Sequence, residues 1–184
     1  MAGASPDRSP GLAATASPLA ALSVFQGRGE APFEALRHLA GRSPSAAVAA
    51  SERDAACAAL AWFDRCVAVH HRLLEDAMFP ELIESMAGSD PVCLRELAAA
   101  AAAGQRAVER RWHGLRPACV AISRGDAAAL DAAAVTFLVD DCRANFARAD
   151  RELFPMAERL LDDAALARLQ ARLVGRERSA TPAD

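Results

Sequence analysis

Four polar side chains interrupt four otherwise apolar helical stripes, and they are the residues best suited to chemistry in this chain. They are Gln26, His70, Gln105 and Asn145. In a helix bundle, ligand sites are built from inward side chains on facing helices. The imidazole of His70 can bind a metal or a proton, whereas Gln and Asn amides are weak metal ligands but can donate and accept hydrogen bonds. The pattern therefore predicts a polar layer across the interior of a bundle.

A second, more acidic set lies one position further round the predicted helices. It consists of His71, Glu75, Glu109 and Asp150. His71 and Glu75 are four residues apart and therefore share a helix face. Because Leu74 and Ala149 fit the inward spacing better, we interpret the acidic set as a solvated face beside the core. If a metal is bound, its predicted ligands are His70, His71, Glu75 and Asp150.

Amphipathic helices must position these residues. Ala, Leu and Arg dominate the composition and Tyr is absent, which predicts an all-α fold. Four segments carry the apolar spacing of helices. Since short connections favour antiparallel neighbours, we expect an up-down-up-down four-helix bundle with a short terminal helix over residues 18–174. Residues 1–17 and 175–184 are expected to be disordered tails.

Proline and glycine are expected to disturb two of the helices. The first should break between Gly27 and Pro32, and Pro80 should kink or interrupt the second. The predicted inward stripe of the second helix consists of Cys57, Leu60, Phe63, Val67, His70, Leu74 and Met78. The five cysteines have no CxxC spacing, so they signal neither a zinc site nor a disulfide framework, and most are expected to act as small core hydrophobes.

The second and fourth predicted helices contain two segments with a similar sequence pattern. Residues 70–80 (HHRLLEDAMFP) and 145–155 (NFARADRELFP) align without a gap and end in Phe79-Pro80 and Phe154-Pro155. The two helices are therefore expected to hold equivalent positions in the bundle.

The chain resembles the hemerythrin-like (HHE) domain family in the segments SPLAALSVFQ, VHHRLLEDAMFPEL, GQRAVERRWHGLRP and CRANFARADRELFPMAERLL. The resemblance covers roughly residues 18–174. It implies His on the first and third helices and His-x-x-x-Glu on the second and fourth, together holding a non-haem di-iron centre that handles dioxygen, nitric oxide or iron.

Carried over to this sequence, only one ligand position keeps its residue type. The six positions are occupied by Gln26, His70, Leu74, Gln105, Asn145 and Ala149. One imidazole cannot hold two irons, so no cofactor is expected, and the amides are expected to hydrogen-bond one another and His70. The resulting hypothesis is a non-catalytic binding or regulatory module with a metal-free polar layer. The alternative is a non-haem iron protein that uses the rearranged ligand set.

Charge and the remaining motifs exclude other function classes. The formal net charge of −3 offers no basic surplus for nucleic acid. No phosphate loop or nucleophile elbow is present, and an enzyme is not expected. Without a long apolar run or a secretory leader pattern, we expect a cytoplasmic protein with no membrane partner. An unidentified protein or small ligand is the expected partner, and the oligomeric state stays open.

Overall fold

The computed structural model describes residues 17–85 and 92–180, with side chains as far as residue 173, and these residues form five helices and no strand. We number the helices in chain order. Helix α1 comprises Pro18–Gly27 and Glu30–Ala40, α2 spans 50–85, α3 is Val92–Arg124, α4 spans 132–160, and α5 is Asp163–Ala180. The all-α prediction is confirmed for this part of the chain. The predicted tail at 1–17, apart from Ser17, lies outside the described residues, as do the 86–91 connection and the last four residues of the other tail.

Helix α1 breaks where the sequence predicts. Its two parts are joined by a turn at Arg28 and Gly29, and the second part runs through Pro32 because a proline in the first turn of a helix removes no needed hydrogen bond. A side chain at position 29 would crowd Phe33 and Trp62, since its Cβ would lie 3.1 and 3.2 Å from their ring atoms. The turn is therefore packed tightly against α2.

Neither Phe-Pro pair interrupts its helix. Instead, α2 and α4 each contain a π-helical turn directly before the pair, at Leu74–Met78 and at Ala149–Leu153. Proline has no N–H to donate, and its ring clashes with the carbonyl four residues earlier, so widening the preceding turn relieves the clash. The expected interruption at Pro80 is thus replaced by a local change of pitch.

A further π-helical turn, Trp62–Val67, shifts the buried face of α2. The predicted inward residue Cys57 is exposed and Leu60 is half-buried, whereas Ala56 and Ala59 are fully buried. The prediction assumed a uniform α-helical period, and the wider turn changes the register on its amino-terminal side. Cys66 and Cys93 are also exposed, so only Cys119 and Cys142 act as the expected core hydrophobes.

Two hydrophobic clusters fill the interior. We call the first the aromatic cluster, because it contains Phe25, Phe33, Trp62, Phe63 and Trp112. The second, the aliphatic cluster, is built mainly from Leu and Ala of all five helices. On each of α1 to α4, the change from one cluster to the other occurs at or next to the polar residue of the predicted stripe.

Helix α5 belongs to the aliphatic cluster and extends past the predicted boundary at residue 174, to Ala180. Leu161 is extended, and Asp162 caps the new helix by accepting a hydrogen bond of 2.8 Å from the Ala165 N–H. Leu169 and Leu173 are almost completely buried. Across the described ranges, no helix has both the length and the apolar character that crossing a membrane requires.

Candidate functional site

All six positions singled out by the resemblance line one cavity between the helices. They are Gln26, His70, Leu74, Gln105, Asn145 and Ala149. The cavity has a volume of about 20 Å³, and Arg148, Leu97 and Ala101 complete part of its wall. Leu74 and Ala149 are the first residues of the two π-helical turns before the Phe-Pro pairs.

Three of the four polar members of this layer are buried and Asn145 is half-buried, yet they do not bond one another. Gln26, His70 and Gln105 are 6%, 5% and 4% exposed. The atoms left without a partner are Gln26 Oε1 and Nε2, His70 Nδ1, Gln105 Oε1 and Asn145 Nδ2. The expected direct network among the amides and His70 is therefore wrong, because none of these atoms has a hydrogen-bond partner although their side chains line one cavity.

Leaving these atoms unsatisfied would be strongly destabilising. A buried polar group without a hydrogen bond costs about 1–3 kcal/mol. Five such atoms would together cost an amount similar to the whole stability of a typical domain, about 5–15 kcal/mol.

His70 is held against the ring of Phe25. The two rings stack at a centroid distance of 4.7 Å, and Phe25 stacks on Trp62 in turn at 4.6 Å. Burial, with a smaller contribution from the neighbouring His71, lowers the pKa of His70 to about 3. The imidazole is therefore neutral at ordinary pH, and its buried Nδ1 has no hydrogen-bond partner.

His71 is not on a solvated face, contrary to the sequence interpretation. It is 4% exposed, and its Nδ1 lies 2.9 Å from Oε1 of Glu109 on α3. Burial lowers the pKa of His71, while the hydrogen bond and charge of Glu109 oppose the shift. Apolar periodicity misplaces this residue because adjacent residues on a helix point about 100° apart, so His70 can face α1 while His71 faces α3.

The remaining acidic candidates lie outside the cavity. Glu75 and Asp150 are exposed, and Asp150 accepts a hydrogen bond of 3.0 Å from the Ser23 hydroxyl. Of the alternative ligand set, only His70 and His71 therefore line the cavity. Within the described ranges, no group of three or more His, Cys, Asp or Glu side chains is arranged to hold a metal ion.

The position of the Asn145 side chain requires a glycine in the facing helix, α3. A Cβ added at Gly104 would lie 2.0 Å from Asn145 Oδ1, so the amide occupies the space that a side chain on α3 would take. This contact was not predicted from the sequence. The signal was present, because Gly104 ends a run of alanines and precedes Gln105 by one residue.

A second depression of about 230 Å³ lies between α2 and α3, over the stacked rings of Phe63 and Trp112. Asp64 on its rim accepts a hydrogen bond of 2.7 Å from Trp112 Nε1 and also pairs with Arg116. These bonds lower the pKa of Asp64 although its burial opposes the shift. Glu109 lines this depression while its partner His71 lines the inner cavity, so the pair forms part of the wall between them.

Comparison of the chain with protein-family models, with curated proteins and with solved structures finds no match.

Proposed function

We propose that this protein is a hemerythrin-like four-helix bundle that has exchanged its iron ligands for a neutral polar layer and acts as a non-catalytic binding or regulatory module. The observation that carries the proposal is the convergence of all six carried-over positions on one cavity. The register drawn from the resemblance predicts that these six residues, spread over four helices, line one cavity, and their convergence supports the proposal.

Contacts between the helices support the bundle topology. Asp64 meets Trp112 and His71 meets Glu109, so residue numbers rise along α2 as they fall along α3. The same opposition holds for α3 and α4, where Arg111 pairs with Asp141 and Gly104 abuts Asn145.

The contacts that α1 makes with α4 and α2 indicate that it is antiparallel to both helices. Glu30 pairs with Arg143 at 2.5 Å and Ser23 bonds Asp150, so α1 and α4 also run in opposite directions. Phe33 contacts Phe63, while Phe25 contacts His70, which gives the same opposition between α1 and α2. An antiparallel ring of α1 to α4 is the arrangement that these four sets of contacts favour.

The donor set does not fit a di-iron centre. Iron in such sites is held by imidazoles and carboxylates, whereas this cavity presents one imidazole, three amides and two aliphatic side chains at the six positions. The unpartnered amide atoms suit a neutral hydrogen-bonding ligand better than a cation.

The alternative function, a non-haem iron protein, has one observation in its favour. His71 is buried beside His70 and lines the same cavity. Its proposed partners Glu75 and Asp150 are exposed, so iron binding through this set would require both carboxylates to turn inward. The first proposal needs no such rearrangement.

Metal analysis separates the two functions. We expect protein produced in iron-supplemented medium to contain no stoichiometric iron by elemental analysis and to lack the absorption bands of an oxo-bridged iron pair. Stoichiometric iron in the native chain, lost in His71→Ala, would establish the alternative.

A restoration experiment tests the register itself. The variant carries Gln26→His, Leu74→Glu, Gln105→His, Asn145→His and Ala149→Glu, and we expect it to bind iron that the native chain does not bind. The control carries the same residue types at exposed positions of the same four helices, where donors should not converge. A variant that keeps its helical circular dichroism but binds no more iron than the control would contradict the hemerythrin-like assignment.

A further inference from the structure

The cavity presents an unusual excess of unused hydrogen-bonding capacity. Gln26 Nε2 and Asn145 Nδ2 are donors, Gln26 Oε1 and Gln105 Oε1 are acceptors, and His70 Nδ1 serves in either role according to its tautomer. Gln26, His70 and Gln105 are each more than nine-tenths buried, so bulk water does not satisfy them. Buried polar groups in folded proteins are almost always bonded, either to protein or to ordered water.

The size of the cavity limits what these atoms can bind. Its volume is about 20 Å³, and about 10–15 Å³ of such space is enough for one water molecule. A larger ligand, such as an amino acid or a nucleoside, would require the helices to separate. The aliphatic cluster on one side and the stacked rings on the other oppose that separation.

The charge of the lining limits the chemical class as well. The unpartnered atoms are amide dipoles of both signs and one imidazole nitrogen. An ion would find no opposite charge among these atoms, and the charged side chain in the described lining, Arg148, is partly exposed to solvent. Burying an unpaired ion is strongly unfavourable. One imidazole and three amides offer four hydrogen-bonding groups, which match the two donors and two acceptors of a water molecule.

We infer that the cavity is a binding site for a single uncharged, water-sized hydroxylic molecule, with water as its resident occupant, held by His70 Nδ1 and the amides of Gln26, Gln105 and Asn145. The inference rests on the proposed function, because it names the ligand class of the same cavity. It replaces the direct amide network, since the bound molecule connects polar groups that do not reach one another.

The test is a crystal structure of the native protein at a resolution that shows ordered waters, combined with water-selective nuclear Overhauser spectra of the labelled protein. We expect one single-atom density peak within hydrogen-bonding distance of His70 Nδ1. We also expect cross-peaks between water and the side-chain amide protons of Gln26 and Asn145.

Two buried alanines of α4 supply a matched pair of variants. Ala149 lines the cavity, whereas Ala157 lies in the aliphatic cluster and does not. Ala149→Val should abolish the water cross-peaks, while Ala157→Val, which adds the same two carbons, should retain them. If Ala149→Val does not fold, the density peak in the native crystal still decides the question.

Two outcomes would overturn the inference, and they differ in what they imply for the proposed function. A dry cavity whose amides bond each other, in a protein without iron, would contradict the bound molecule but would agree with the metal-free module. A density peak with the anomalous scattering of iron would contradict both the bound molecule and the metal-free module.

Discussion

Segments 70–80 of α2 and 145–155 of α4 begin from nearly the same sequence pattern and reach the same backbone. Each begins with a polar side chain on the cavity and places an aliphatic side chain there four residues later, at the start of a π-helical turn, and each ends in a buried Phe followed by Pro. They differ in what covers them. Arg172 of α5 donates a hydrogen bond of 2.7 Å to the carbonyl of Asp76, which Pro80 cannot bond.

The comparison separates local from tertiary causes. The π-helical turns recur because the Phe-Pro pair acts on the four residues before it wherever it occurs. Helix α5 contacts the turn before Pro80 through Arg172, and its Arg168 also pairs with Glu81 at 2.6 Å, one residue beyond Pro80. The two segments also differ in chemistry, since the described lining of the cavity receives its histidines from α2.

The largest expected effect concerns one of these histidines, His70. The folded-state pKa of His70 is about 3 and its unfolded value is near 6.5, so between these values the unfolded chain binds a proton that the folded chain does not. The free energy of unfolding should therefore fall as pH falls, by about 1.4 kcal/mol per pH unit within this window. Urea denaturation at pH 7 and pH 5 measures the slope.

Segment 145–155 of α4 provides the control for this prediction. His70→Leu should make the acid-induced loss shallower, with a remainder from His71, whose pKa is also lowered. Asn145→Leu, at the equivalent position of α4, should keep the native slope. Equal slopes in the two variants would show that His70 does not stay neutral in the folded protein.

A smaller effect is expected on the α4 side of the comparison. Gly104→Ala forces Asn145 Oδ1 away from a Cβ only 2.0 Å distant. Crowding of this kind costs about 1–3 kcal/mol, partly offset by the gain of about 1 kcal/mol in helix propensity. The net result should be a loss of stability, measured by urea denaturation.

Gly114→Ala is the matched substitution, because it lies on the same helix and nothing lies within 4 Å of its added Cβ. It should gain up to about 1 kcal/mol in the same assay. A stabilised Gly104→Ala variant would mean that Asn145 does not lie against α3.

The smallest expected effect concerns the contact between α5 and the π-helical turn before Pro80 in α2. Arg172→Ala removes the hydrogen bond to the Asp76 carbonyl. Because Arg172 is exposed, water can replace much of the bond, and the loss should be about 0.5–1 kcal/mol. Thermal denaturation is the measurement, with Arg159→Ala on α4 as the control, where we expect a change too small to resolve. The same loss in both variants would count against a specific role for Arg172.

Several features of the site were predictable from residues alone. The burial of Gln26, His70 and Gln105 follows from their places in apolar stripes, and the break in α1 follows from Gly29 and its neighbours. The burial of His71 was not predictable in this way. It depends on Glu109, thirty-eight positions away, which supplies a partner at the one place on α3 that His71 can reach.

The register of α2 shows the same limit in another form. The stripe through Val67 and Leu74 is buried as predicted, but its continuation to Cys57 is not, because one wide turn at Trp62–Val67 changes the period. The Phe-Pro signal explains the other two wide turns and gives no warning of this one.

By itself, the sequence indicated which segments are helices, that Pro80 disturbs the second of them, and which polar residues occupy apolar stripes. These features depend on residues within about one turn of each other, through backbone hydrogen bonds, proline geometry and side-chain periodicity. The tertiary structure alone decided that the amides line a cavity without bonding each other, that Glu109 covers His71, and that α5 covers the turn before Pro80. Those outcomes depend on distances between side chains of different helices, which no local pattern specifies.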